Sequence, residues 1–333
     1  LLALVVFGFI TYYGFYLVSD FWETMKGRRA APSADTTINY RSNPSFVLKS
    51  NWKYQETNTT LNLNGIHFID DSTGFVVGQK GTLLKTTSSG SVWETIVFPD
   101  SSILNDIKFL NSTNGVIVGE FGKIFTTSDS GNSWQQVNKF FDETIFSLYA
   151  YDRNTLFAVG DKGLIIRSVD AGKTWERLNS GTNNLLFSLY FSTNKVGYAV
   201  GWNGTILKTE DRGDSWRATE SFTPQYLRDV IFVDEKTGFI CGGGGEIYKT
   251  TNAGKDWNQL TSNLFSGLSG ILFSDKNNGL VISQKGEINQ TSDGGQNWTS
   301  NHSGRYYSLS RVEATPSGNI YIIGFHGTIL TNK

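Results

Sequence analysis

Disulfide bracing is closed to this chain, which has a single cysteine, Cys241. It stands in an apolar run and reads as a small buried hydrophobe rather than a reactive thiol. Histidine is nearly as scarce: His67, His302 and His326 fall in different repeats, without the close spacing of a zinc site. Neither sign of charge prevails, since 29 Lys and Arg against 30 Asp and Glu leave a formal net charge of −1. That balance removes the electrostatic case for a nucleic-acid partner. Long apolar runs are missing apart from Leu1 to Ser19, which carries no charge.

What is plentiful is repetition. Trp52, Trp93, Trp134, Trp175, Trp216, Trp257 and Trp298 are each 41 residues from the next. A spacing kept to the residue means one supersecondary unit copied without insertions, and the period matches four-stranded propeller blades rather than helical repeats. Gly81, Gly122, Gly163, Gly204, Gly245, Gly286 and Gly327 keep the same period. Three residues before each stands another glycine, with Ser283 the one departure. Each unit therefore reads apolar run, Gly-x-x-Gly, apolar run, a hairpin whose glycines suggest positive φ. A second turn precedes each tryptophan, best seen in Ser128-Asp129-Ser130-Gly131-Asn132-Ser133-Trp134. Asp170, Asp211 and Asp293 match Asp129, while Asn252 and Ser88 replace it in two copies. Such side chains bond the backbone two residues on, and the glycine takes the left-handed position that follows.

Ser/Thr-x-Asp-x-Gly-x-x-Trp is the Asp-box, or BNR repeat. Together with Gly-x-x-Gly in each unit it resembles the photosystem II stability/assembly factor-like family over about residues 45 to 333. The resemblance implies a seven-bladed propeller that helps assemble photosystem II by holding a precursor reaction-centre subunit. Surface arginines contribute to that role in photosynthetic members. The arginines here are few and scattered, so the generic scaffold role is the part that carries over.

Each unit divides into four strands, for the second Leu104 to Phe109, Gly115 to Val118, Lys123 to Thr127 and Trp134 to Val137. The last unit stops after three, and Trp52-Lys53-Tyr54 has the outer-strand signature with nothing in front of it. The economical solution is that the N-terminal strand completes the seventh blade and leaves only short, protected edges. The expected fold is thus all-β, one seven-bladed propeller over 46–333. Residues 1–26 read as a transmembrane anchor with its juxtamembrane end, and 27–45 as a linker. Nineteen residues at about 1.5 Å each nearly span a hydrocarbon core of about 30 Å. A cleaved signal peptide is the alternative. The polar Asn, Thr, Ser and Gly-rich surface suits a single-pass protein with the propeller on the extracytoplasmic side, periplasmic or lumenal. Lys26, Arg28 and Arg29 argue the other way.

Candidate chemistry is thin. Sialidases also carry Asp-boxes but hold their substrate with three arginines. Here only Arg228 and Arg311 start inner strands where a channel could be lined, and two are not a triad. One carboxylate per blade cannot build a calcium shell of about six to eight oxygens. Asp129, Asp170, Asp211, Asn252 and Asp293, with Trp93, Trp134, Trp175, Trp216, Trp257 and Trp298, are therefore expected to be structural. No cofactor, metal, catalytic residue or small-molecule substrate is expected. The variable positions inside the Gly-x-x-Gly turns are more informative, because Phe121, Trp202 and Phe325 put aromatics where polar residues are usual. Phe140 and Phe141 join them from an inter-blade segment on the same face. With Arg228 and Arg311 these form the candidate partner site. The reading is a non-enzymatic, membrane-anchored scaffold, assembly factor or accessory subunit docking on an integral membrane protein. The alternative is an extracytoplasmic glycan- or cell-wall-binding propeller.

Overall fold

A computed structural model describes residues 44–137 and 141–333. The expected anchor, most of the linker and Phe140 lie outside the described residues. Among these residues no helix is long and apolar enough to cross a membrane.

Seven four-stranded antiparallel sheets are formed, and the first strands of neighbouring sheets pack against one another all the way round. That contact pattern closes a seven-bladed propeller with the first strands about its axis. The second blade consists of Leu104–Phe109, Gly115–Gly119, Ile124–Thr127 and Gln135–Gln136. Its outer strand is shorter than the repeat suggested, because Trp134 leaves the ladder and turns inward. Its indole N–H donates to the Gly131 carbonyl at 3.2 Å, and its ring stands edge-on to Phe109 at 5.9 Å.

Aromatic rings join the blades. A second-strand ring of one blade packs on a first-strand ring of the next in Phe75–Phe109 (4.7 Å), Phe157–Phe191 (4.9 Å), Tyr198–Phe232 (4.6 Å) and Phe239–Phe273 (3.7 Å). Tyr321–Phe68, at 4.3 Å, does the same across the seam between the last blade and the first. Each pair contributes about 0.5–1.5 kcal/mol beyond the area it buries. Closure is as expected: Lys53 pairs with Thr331 and Tyr54 with Leu330, giving the seventh sheet its fourth strand. Phe46 is buried in the same core as Leu309 and Ile322.

The two glycines of each hairpin turn serve different ends. Gly78 is extended, at φ −167°, but a Cβ there would lie 2.2 Å from the Asn62 carbonyl oxygen. Close approach, not positive φ, fixes the first glycine. Gly81, at φ +66°, needs both, since a Cβ would meet the Asp100 carbonyl at 1.9 Å. Gly243 and Gly244 are part of the same kind of turn, with a strand and no helix after them.

In the Asp-boxes, Asp129 Oδ1 accepts from the Asn132 and Ser133 N–H groups and Oδ2 from the Ser133 hydroxyl. The Ser133 hydroxyl and N–H, with Thr127, hold its carboxyl down at about 2. Asp170, Asp211 and Asp293 repeat the arrangement with Thr174, Ser215 and Asn297. The fifth blade inverts it. Asn252 donates from Nδ2 to Asp256 Oδ2 at 2.7 Å, so carboxylate and donor have exchanged places. Asn252→Asp alone is therefore expected to cost about 1 kcal/mol by facing two carboxylates, despite restoring the motif. Thermal denaturation should show Asn252→Asp with Asp256→Ser recovering that loss.

Candidate partner-binding face and channel

The Asp-box turns share one face with the connections between first and second strands, as the Ser130 N–H to Thr113 carbonyl bond shows. The Gly-x-x-Gly turns share the other with the inter-blade segments, through bonds such as Gly81 N–H to the Ser102 carbonyl. Exposed large apolar side chains are distributed unequally between them. Val97, Phe121, Trp202, Phe222, Phe265, Tyr306, Tyr307 and Phe325 lie on the Gly-x-x-Gly face, whereas the Asp-box side exposes Val92, Val169 and, beside the end of the seventh blade, Val47.

Phe121 is the most telling of these. It is 59 % exposed and sits at φ +56°, in the left-handed region that a bulky side chain occupies at a cost of about 1–2 kcal/mol. The equivalent position holds Lys80, Lys162, Asn203, Gly244, Lys285 and His326 in the other blades, and His326 shares the left-handed conformation at φ +55°. Neither burial nor backbone preference accounts for phenylalanine there. Trp202 stacks on Tyr226 at 6.0 Å, and Tyr307 packs on His326 at 4.4 Å beside Phe325. Phe141 is less available: it packs against the core of the second and third blades with Arg177 over its ring at 5.4 Å.

Arg228 and Arg311 lie deeper. Every first strand carries a bulge at its second residue, between Leu227 and Asp229 in the fifth blade and between Leu309 and Arg311 in the seventh. Asn64, Asn105, Phe146, Phe187, Arg228, Ser269 and Ser310 occupy this bulge, which turns them away from the regular ladder at the channel mouth. Phe146 and Phe187 meet at 5.8 Å, and the Arg228 guanidinium lies over Phe187 at 4.9 Å. Nothing in the 41-residue period announces the bulge, and Tyr226 was likewise without a sequence signal.

The next residues inward form a ring of Gly65, Asp106, Ser147, Ser188, Asp229, Gly270 and Arg311. It is mirror-symmetric about the seventh blade. Arg311 is flanked by two glycines, beyond them by two aspartates, and opposite by two serines. Its guanidinium approaches Asp106 at 3.7 Å past Gly65, and it acts on Asp229 past Gly270. Asp106 accepts from Ser147 and the Leu148 N–H, and Asp229 from Ser188 and the Ile271 N–H. Burial still drives the Asp229 carboxyl above its ordinary range, against the pull of Arg311. Arg311 is thus half-buried and directed at the two aspartates rather than displayed at the surface. One layer further, Glu313 accepts from His67 at 3.0 Å and Lys108 at 3.2 Å. Among the described residues no group of three or more His, Cys, Asp or Glu is placed to hold a metal ion. Burial pushes the Cys241 thiol well up, keeping it protonated.

These features define a class: a closed Asp-box propeller with one structural face and one variable, aromatic face. More narrowly, the chain belongs to the family described as photosynthesis system II assembly factor YCF48, whose sequence pattern matches residues 87–184 and 178–331. The fold is shared with a structure of YCF48 bound to D1 peptide, at TM-score 0.74 and 22 % identity over 87 % of this chain and 99 % of that one. YCF48 from Cyanidioschyzon merolae gives 0.71 and 18 % over 84 % and 98 %. An enzyme, the GH74 protein of Niastella koreensis, gives 0.68 and 16 % over 84 % of this chain and 53 % of its own. No curated protein matches the chain.

Burial alone would raise the Glu313 carboxyl, but Lys108, His67 and the Phe68 N–H outweigh it and hold it at about 2. A depressed folded value gives stability that is complete above the ordinary carboxyl value and lost as pH falls towards 2. Chemical denaturation should show the wild type losing on the order of 2 kcal/mol more than Glu313→Gln between pH 5 and pH 2.

Proposed function

We propose that this propeller is a non-catalytic docking module that holds a segment of an integral membrane protein against its Gly-x-x-Gly face. It would serve as an assembly factor or as an accessory subunit of a membrane complex. The observation that carries this reading is the confinement of nearly all exposed aromatics to that face, with Phe121 kept in a strained conformation there. Exposed apolar clusters of this kind are contact surfaces. Family membership supports an assembly role, and the D1 peptide bound to one YCF48 supports a membrane protein as partner. In this reading Leu1 to Ser19 anchors the chain and the propeller stands on the extracytoplasmic side. A photosystem II subunit is the client the family suggests.

A photo-crosslinking amino acid placed at 121 or at 202 in the full chain should capture an integral membrane subunit, and one at 169 on the opposite face should not. Equal capture from both faces, or recovery of the chain alone from mild detergent, would sink the proposal. Capture of glycan in place of protein would move the assignment to a sugar-binding propeller. Phe121→Gly should raise stability by about 1 kcal/mol by relieving the left-handed strain, while lowering crosslinking from 202. A variant that loses stability would show that the ring is packing rather than contact.

A further inference from the structure

We infer that one sector of the Gly-x-x-Gly face, running from the sixth blade through the seventh to the first, rests on an anionic lipid surface. The inference relies on the membrane attachment proposed above. It leaves Phe121 and Trp202, on the other half of the face, to hold protein.

Exposed rings and cations coincide in this sector. Phe265 is 87 % exposed and Tyr306 85 %, and Tyr307 and Phe325 are exposed with them. They come from the segments that join the fifth blade to the sixth and the sixth to the seventh, and from the seventh turn tip. The tips of the first and sixth blades carry the exposed Lys80 and Lys285, and Arg305, next to Tyr306, lies over the Tyr54 ring at 4.4 Å. Among the described residues of these tips and segments, Glu56 is the one carboxylate on display, because Glu287 is turned onto the hydroxyls of Ser266 and Ser283.

The other half of the face has the opposite sign. Among the described residues its tips and inter-blade segments carry Glu120, Asp142, Asp161 and Glu220 against Lys162, besides the pairs Asp100–Lys123 and Glu143–Arg177. Rings with a polar edge seat at the headgroup level of a bilayer, and lysine and arginine stems reach the phosphates beside them. Anionic headgroups attract such cations and repel a carboxylate-rich half, so a charged bilayer takes the propeller tilted on this sector alone. Rings this exposed project from the surface rather than line a pocket, which suits a soft plane better than a protein hot spot.

The chain enters the ring in the same sector. Phe46 is buried among residues of the sixth and seventh blades, with the Lys49 carbonyl held by Gln290 and the Val47 carbonyl by Asn332. Residues 27–45 can extend to at most about 65 Å, against about 20 Å for a blade strand, so entry from the Asp-box side leaves the opposite face within reach of the membrane. An anchor at Leu1 to Ser19 therefore draws this sector, and not the half bearing Phe121, towards the bilayer.

The test places an environment-sensitive dye at Phe265→Cys, Tyr306→Cys, Phe121→Cys or Val169→Cys in the full chain. Each is reconstituted in phosphatidylcholine vesicles, with or without phosphatidylglycerol, that contain a lipid with a nitroxide on its headgroup. Cys241 is buried and does not compete for the dye. Quenching is expected at 265 and 306 in the anionic vesicles, and only at background level at 121 and 169. Lys80→Gln and Lys285→Gln, both at exposed turn tips, should each lower the contact equilibrium about fivefold. Background quenching at 265 and 306, equal quenching in neutral vesicles, or no effect of the lysine substitutions overturns the inference. Quenching at 121 as strong as at 306 overturns the division of the face. A crosslinker at 306 that captures protein from native membranes overturns lipid as the occupant in favour of protein. Retention of the chain on vesicles in about 1 M salt, where the Debye length is about 3 Å, reports the anchor separately. Retention without quenching would remove the lipid-facing sector and leave the docking face standing, whereas release would overturn the anchor and this inference with it.

Discussion

The pairing of Lys53 and Tyr54 with Leu330 and Thr331 is the interaction on which the ring depends. Seven wedges cut to one pattern have no natural first or last member, and a chain that wound them in order would end with two raw edges. Lending the last blade a strand from the front of the chain turns the final edge into an ordinary sheet interior. It also brings Tyr321 onto Phe68, so the seam acquires the same aromatic contact found between ordinary blades. Every other blade interface follows from that: once the circle is closed, each first strand is fixed between two others and the channel has a definite bore.

Within that frame the two faces divide their tasks. On one, carboxylates and amides are spent on their own turns, and the tryptophans that follow are drawn into the blade edges. That face is repetitive because its work is the same in each unit. On the other, the glycines secure the backbone through carbonyl contacts that leave no room for a side chain. The tips between them are relieved of structural duty. Phe121, Trp202 and Phe325 are free to differ from Lys80 and Asn203 for that reason.

Periodicity was legible because every unit solves one packing problem with the same residues, and the closing strand was legible because a fragment of the pattern stood alone. Three things were hidden. The bulge in the first strands leaves no mark on the period, since it inserts nothing between successive glycines, yet it is what delivers Arg228 to the channel mouth. The exchange of Asn252 and Asp256 looks like decay of a motif until the bond between them is seen. The mirror arrangement around Arg311 requires residues from all seven blades to be brought into one ring, and only closure does that. The site residues fared unevenly for a related reason. Exposure at a turn tip follows from local sequence, whereas the depth of Arg311 and the packing of Phe141 depend on what neighbouring blades place beside them.

The entry of the chain into the ring also has a mechanical side. Phe46 lies in the core, the Gln290 amide holds the Lys49 carbonyl and the Asn332 amide the Val47 carbonyl. Tension on the segment ahead of residue 46 must therefore extract a buried ring and break these two holds before it reaches the closing strand. Lys53 and Tyr54 then lie alongside the C-terminal strand as the final hold. The closing strand is thus the last part of the seam that a pull along residues 46–52 would reach.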